Sequence, residues 1–174
     1  MRLSRWWLFS LLWFIACTPS SRSVHERARL SSSQTDPKAV SFLLAAKLAE
    51  RRNDPSRAAL MWEAAVRADS SSPTLRVGLA RSLFAINHDS LALIHTKACI
   101  RLDSTFEGGH RLFADYYRKH GDFIRAVSHL EAVLRHSSDA KVGWDLVHLY
   151  NGLNRPEDAE RVMELMANNP RSTP

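Results

Sequence analysis

The residues of this chain that could do chemistry are its eight histidines and two cysteines. The histidines most able to share a surface are His95 and His129, which are 34 residues apart, and His136, seven residues after His129. Neither spacing forms an HExxH motif, and the cysteines form no CxxC motif, so no set of metal ligands is indicated. The sequence also lacks a GxSxG motif and a glycine-rich phosphate loop. We therefore predict no catalytic residue, no metal and no cofactor, and we expect a protein that is not an enzyme.

Cys17 is the residue whose surroundings indicate a covalent modification. It follows an apolar run from Trp6 to Ala16, and a basic start precedes that run, as in a secretory signal peptide. The run is shorter than the roughly 20 residues that a bilayer span requires. Its ending, Phe14-Ile15-Ala16-Cys17, resembles a bacterial lipobox. The resemblance implies cleavage before Cys17, a diacylglyceryl thioether on its sulfur, and acylation, for example with palmitate, of the new N-terminus.

This interpretation divides the N-terminal part of the chain in two. Residues 1–16 are a lipoprotein signal peptide, and 17–38 are a lipidated cysteine followed by a flexible Ser-rich tether. The protein then lies in the bacterial cell envelope, anchored by lipid. An Asp directly after the lipidated cysteine would resemble a signal for retention in the inner membrane. This chain has Thr18 at that position instead, which favours the outer membrane in a host with two membranes. The alternatives are cleavage by the general signal peptidase after Ser20 and an uncleaved cytoplasmic chain.

A repeat of 34 residues organises the rest of the chain. Ala58, Ala92 and Ala126 are spaced by 34 residues, and Ala159 follows after 33. When repeats start at residues 39, 73, 107 and 140, these alanines take position 20 of each repeat. The side chains at position 8 are also small. They are those of Ala46, Ala80, Ala114 and Val147. Two antiparallel helices approach closely where their side chains are small, so the period predicts an all-α solenoid of stacked helix pairs.

The repeats resemble the tetratricopeptide repeat family. The third repeat matches the family pattern best, with the following residues in register: Phe113, Ala114, Tyr117, Gly121, Ala126 and Leu130. The resemblance covers 39–72, 73–106, 107–139 and 140–173, and it implies a right-handed α-solenoid of four helix-turn-helix repeats. Asn53, Asn87 and Asn154 replace the turn glycine of the other repeats, and Asn is the residue next best able to adopt a left-handed conformation. The alternative is a helical bundle with accidental periodicity.

Charge and cysteine content exclude further classes of function. From Asp36 onward the chain has 19 Lys and Arg against 17 Asp and Glu, so the repeat domain is nearly neutral. Nucleic-acid binding needs a basic stripe with stacking or base-reading groups, and we therefore predict no nucleic-acid partner. Cys99 occupies a small repeat position, which predicts a packed thiol with no disulfide.

The resemblance implies that the first helix of each repeat lines a concave groove that binds a protein or peptide. Carried over to this sequence, the groove residues are the following: Leu43, Lys47, Arg81, Phe84, Arg111, Arg118, Lys119, Trp144 and His148. Basic and apolar groups side by side suit a partner segment with acidic and apolar residues. The alternatives are an ordinary solvated face for the basic residues and packing of Trp144 against Tyr117.

One known binding mode of the family is not expected here. It grips a C-terminal carboxylate with Lys, Arg and Asn side chains at five positions. In this chain only one of those five positions is basic. They hold the following residues: Leu43, Lys47, Gly78, Gly108 and Leu112.

The leading functional hypothesis is a membrane-anchored adaptor that serves as an assembly factor for a membrane or secretion complex. One alternative is a scaffold that forms a homo-oligomer through the last helix. That helix carries Val162, Met163, Leu165 and Met166, and no polar capping helix follows it. Those residues would otherwise face the helix before them. The other alternative is a regulator of an envelope enzyme.

Overall fold

The structure is a computed structural model that describes residues 36–137 and 139–168. The predicted signal peptide, Cys17 and the tether up to residue 35 lie outside the described residues. Within the two ranges the chain forms eight α-helices. They are α1 (Pro37–Arg51), α2 (Pro55–Ala68), α3 (Pro73–Ala85), α4 (Asp89–Leu102), α5 (Glu107–Lys119), α6 (Phe123–Leu134), α7 (Ala140–Gly152) and α8 (Pro156–Ala167). Each predicted repeat contributes one pair of consecutive helices, so the predicted all-α solenoid is confirmed.

The helices begin close to the predicted repeat starts. Helices α3, α5 and α7 start at residues 73, 107 and 140, as the spacing predicts. Helix α1 instead begins at Pro37, so the last two residues of the predicted tether, Pro37 and Lys38, belong to the helix. Asp36 accounts for the difference, because its carboxylate accepts a hydrogen bond of 2.8 Å from the Lys38 backbone N–H. Proline at the first helical position is also favourable, since its φ already suits a helix.

The turns inside each repeat adopt the conformation that their residue types predict. Asn53, Asn87 and Asn154 have φ angles of 56°, 60° and 57°, and Gly121 has a φ of 76°. This left-handed region strains most side chains, but Asn and Gly tolerate it. The prediction that Asn replaces the turn glycine in three repeats is therefore confirmed.

The core follows the repeat positions. All eight residues at positions 8 and 20 are buried, none of them more than 5% exposed. Trp62 at position 24 is the largest fully buried side chain in the described residues, and it lies in the cluster that joins the first two repeats. A second cluster joins the last two repeats around Leu146 and Tyr150, and a small one around Val77 and Leu112 connects the middle repeats. The core thus consists of three clusters that follow one another along the repeats.

The Cys99 thiol is buried, as predicted, and burial raises its pKa to about 11. Among the helices of the described ranges, none combines the length and the apolar character that crossing a bilayer requires.

Candidate binding groove

The first helices of the repeats carry the candidate groove, and its best-formed part lies between α5 and α7. A cavity of about 230 Å³ opens there. Its lining consists of these residues: Arg111, Ala114, Asp115, Arg118, Leu130, Lys141 and Asp145. Three basic and two acidic side chains therefore surround a pocket with a small apolar floor. Such a lining can hold a carboxylate or another polar side chain of a bound segment.

Three of the five predicted basic groove residues are already paired within the chain. The Lys47 Nζ lies 2.9 Å from the Glu50 carboxylate and 5.1 Å from the centre of the Trp62 ring. The Arg118 guanidinium lies 2.8 Å from the Asp115 carboxylate. Both pairs sit at the protein surface, where ion pairs are weak and a partner can replace them.

Arg111 has a structural role as well as a place in the groove. Its guanidinium lies 2.6 Å from the Glu107 carboxylate and also contacts the Asp139 carboxylate across the junction between the third and fourth repeats. Partial burial would raise the pKa of Asp139. The backbone N–H of Lys141 and the Arg111 guanidinium oppose this effect and lower the pKa below its usual value. Arg111 therefore helps to set the angle between two repeats.

Three groove cations remain without an ion pair among the described residues: Arg81, Lys119 and Lys141. All three are exposed. Arg81 and Lys119 were predicted as groove residues, and each lies one turn from a member of the aromatic pair Phe84–Tyr116. Their charge is available to an acidic partner at low cost, since no internal ion pair has to break.

The apolar groove residues differ in exposure. Leu43 is half-buried and packs on the core of the first two repeats. Phe84 is half-buried as well, with its ring centre 5.7 Å from that of Tyr116. Trp144 is 53% exposed, and His148, one turn further along α7, is also exposed. Tyr117, against which Trp144 was the alternative packing partner, stacks with Phe113 and His129, and its ring contacts among the described residues do not include Trp144.

The carboxylate-gripping mode of the family has no counterpart in these positions. Gly78 lies under the Trp62 ring, and Leu112 is buried in the cluster that connects the middle repeats. Both therefore face the preceding repeat and not the groove. Asp115 lies at a groove position of the third repeat, as the resemblance implies, whereas sequence reasoning overlooked Asp145. The spacing of Asp115 and Arg118 on one helix could have indicated their ion pair.

A histidine pair lies between α5 and α6, outside the groove. The Nδ1 atoms of His110 and His129 are 3.0 Å apart, and the Nε2 of His110 is 3.0 Å from the Ser104 carbonyl oxygen. Because a carbonyl only accepts, His110 carries its proton on Nε2 and accepts at Nδ1 from His129. Burial, and then the neighbouring His110, lower the pKa of His129 to about 4. His95, at the same repeat position as His129, is half-buried as well.

The histidine pair borders a shallow cavity of about 500 Å³, whose lining also includes Ile94, Phe113 and Arg101. In residues 36–137 and 139–168, no three His, Cys, Asp or Glu side chains converge to hold a metal ion.

The last helix forms another cavity, with a volume of about 600 Å³, together with α6 and the start of α7. Leu165 lines it and is 56% exposed. Val162 is buried, and Met166 lies against Gly143. Part of the apolar side of α8 thus faces its neighbours, and part of it is open.

Comparison with known proteins identifies the architecture. Neither a protein-family model nor a curated protein matches the sequence. Among solved structures, the chain is similar to MamA, with 16% identity over 86% of this chain and 93% of MamA, and a TM-score of 0.63. It is also similar to the first TPR domain of Spaghetti (RPAP3) bound to the HSP90 peptide SRMEEVD, with 14% identity, coverage of 70% and 99%, and a TM-score of 0.64.

A third similar structure is the C-terminal part of a TPR repeat-containing protein from Cytophaga hutchinsonii. It shares 16% identity over 86% of this chain and 59% of that one, with a TM-score of 0.65. Identities this low establish the fold and nothing finer. Together with the eight helices, the buried small positions and the left-handed turns, these likenesses show that the chain has the fold of the tetratricopeptide repeat proteins.

Proposed function

We propose that the chain is a non-enzymatic adaptor that binds a protein segment in the concave groove. The observation that carries the proposal is the position of Arg81 and Lys119, which have no ion pair among the described residues and each lie one turn from a ring of the Phe84–Tyr116 pair. Cations with no internal partner next to partly exposed rings suit a segment with acidic and apolar residues. The peptide-bound RPAP3 domain supports it by analogy, since that domain has the same fold and its peptide is acidic.

The groove is tested by charge reversal at the two unpaired residues that flank the aromatic pair. We expect peptides selected from a displayed library on the full chain to be enriched in acidic and apolar residues. Their dissociation constants should rise by roughly 10- to 100-fold in Arg81→Glu/Lys119→Glu, because two attractions become repulsions. Fluorescence anisotropy with labelled peptides measures the change.

A matched control reverses two exposed cations on second helices of the repeats, Arg57→Glu/Lys97→Glu. These cations also have no ion pair among the described residues. Peptide affinity should change less than threefold in this variant, beyond the general effect of net charge. Equal losses in both variants would mean that the groove is not the binding site.

We further propose that the adaptor is held at the bacterial envelope by a lipidated Cys17. The support is the basic start, the short apolar run and the ending Phe14-Ile15-Ala16-Cys17. Two or more acyl chains give a stable anchor, whereas a single chain binds only reversibly. An anchored adaptor of this kind suits the assembly of a membrane or secretion complex.

The anchor is tested by removing each sulfur in turn. We expect Cys17→Ser to lose incorporation of labelled palmitate completely and to move into the soluble fraction of the exported proteins. Cys99→Ser is the control, and it should keep both the label and the membrane attachment because the Cys99 thiol is buried in the core. Membrane attachment that persists in Cys17→Ser would point to an uncleaved apolar segment or to a tightly bound partner.

A second candidate function is self-association through the last helix. It is supported by Leu165, which is 56% exposed at the edge of the cavity between α6 and α8. A large apolar side chain in that position gains by being covered.

A further inference from the structure

The interior repeats show which positions bury one repeat against the one before it. In the third repeat these are positions 2, 6 and 10. A Cβ on Gly108 would lie 3.3 Å from Val77 of the second repeat, and Leu112 is buried in the same cluster as Val77. The ring of Tyr116 lies 5.7 Å from that of Phe84. Positions 2, 6 and 10 of a first helix therefore face the preceding repeat.

In the first repeat the same positions are occupied by Val40, Leu44 and Leu48. Their exposed fractions are 40%, 61% and 47%. Since residues four apart share a helix face, the three side chains form one apolar stripe along α1. We call this stripe the N-terminal end face. It exposes apolar groups at the positions that interior repeats bury.

The opposite end of the solenoid has a corresponding surface. Positions 24 and 5 are covered by the following repeat where one is present. Trp62, at position 24 of the first repeat, has its ring over Gly78 of the second repeat. Val77, at position 5 of the second repeat, is covered by the third repeat. In the last repeat these positions hold Met163 and Trp144, which are 39% and 53% exposed. We call these two residues the C-terminal end face.

The helices that carry the two end faces have opposite charge. Helix α1 contains three basic residues and one acidic residue, whereas α7 and α8 together contain five acidic residues and two basic residues. Opposite potentials steer two surfaces together and disfavour the pairing of two like ends. Apolar complementarity and charge thus favour the same contact, in which an N-terminal end meets a C-terminal end.

We propose that a second copy of this chain docks its N-terminal end face on the C-terminal end face of the first. The contact repeats the junction that already joins the repeats inside one chain. Because the two faces differ, the contact is heterologous, and every added copy leaves one free face of each kind. The assembly is therefore an open stack that lengthens the groove. This goes beyond the proposed function, because the cations tested there, Arg81 and Lys119, lie outside both end faces.

The proposal is tested by sedimentation velocity of the full chain from about 1 µM to about 500 µM, the range in which weak contacts dissociate. We expect the wild type to form species larger than a dimer as concentration rises. Leu44→Glu and Met163→Glu each place a carboxylate in an apolar end face, where the contact would take it out of water, and each should raise the dissociation constant by at least ~10-fold. Circular dichroism confirms folding, and Leu48→Glu replaces Leu44→Glu if that variant does not fold.

Mixing the two variants gives the decisive result. Leu44→Glu retains an intact C-terminal end face, and Met163→Glu retains an intact N-terminal one. An equimolar mixture should therefore form one-to-one dimers and nothing larger. Leu165→Glu is the matched control, since Leu165 is also exposed on α8 but lines the cavity towards α6, and it should assemble like the wild type.

Three results would overturn the proposal. The first is a wild type that stays monomeric at every concentration, which would mean that something other than a second copy covers the end faces. The second is a mixture of the two variants that does not pair. The third is assembly that Leu165→Glu abolishes and Leu44→Glu leaves intact, which would establish a symmetric contact through the last helix instead.

Discussion

Replacing Trp62 with alanine is expected to lower the free energy of unfolding by about 4 kcal/mol. The side chain is 1% exposed and fills the space between the first and second repeats. Its Nε1–H donates a hydrogen bond of 2.8 Å to the Glu50 carboxylate, which would lose that partner. Removal therefore leaves a cavity and also separates two repeats whose stability depends on their contact.

Urea denaturation followed by circular dichroism measures this effect. Trp144→Ala is the matched control, because it removes the same side chain from an exposed position on α7, the first helix of the last repeat. We expect that change to alter stability by less than about 0.5 kcal/mol. A loss in Trp144→Ala as large as that in Trp62→Ala would contradict the assignment of Trp62 as the principal contact between these repeats.

The sequence predicts the helix pairs and their turns because both depend on local residue types. Ala58 and Ala92 are small where two helices cross, and Asn53 and Asn87 adopt the left-handed conformation that ends a first helix. These features recur with the period of the repeat, so one repeat supports the interpretation of the next. The repeat pattern did not predict that α1 begins at Pro37, because that start depends on an N-cap. The capping residue is Asp36, which lies outside the repeat period.

Which charges of the groove are available to a partner is harder to predict than the helix pairs, because the pairing of these charges depends on contacts between repeats. Arg111 was expected to be available to a partner, but it also reaches Asp139, 28 residues away. That contact requires a particular angle between two repeats, and no local pattern fixes such an angle. The pairing of Arg118 with Asp115 is different, since both lie on one helix and their spacing alone could have indicated it. The cations left for a partner are consequently fewer than the sequence suggests.

Position in the solenoid, and not residue type, decides the exposure of Trp144. At the equivalent place in the second repeat, Val77 is buried by the repeat that follows. Trp144 has an open surface because no described repeat lies beyond α8. An exposed tryptophan at this position can therefore serve the groove, the end of the solenoid, or both. Variants in the groove and in the end faces separate these roles.

Replacing Gly78 with valine is expected to lower the free energy of unfolding by about 3 kcal/mol. A Cβ at this position would lie 2.5 Å from the ring carbons of Trp62, which is closer than side chains approach in practice. The ring cannot move away easily, because it is enclosed by the core and held by Glu50. Gly152→Val is the control, since nothing lies within 4 Å of a Cβ there, and it should change stability by less than about 0.5 kcal/mol.

A double-variant cycle tests whether the steric contact with Trp62 causes the loss. Trp62→Leu alone should destabilise the chain by leaving a cavity, and Gly78→Val alone should destabilise it by overlap. Combined, the valine methyl groups occupy part of the space that the indole leaves. The loss in the double variant should therefore be smaller than the two single losses together by at least ~1 kcal/mol. Additive losses would mean that valine acts on the backbone of α3 and not on the ring. The junction would then be held by contacts other than the tryptophan over this glycine.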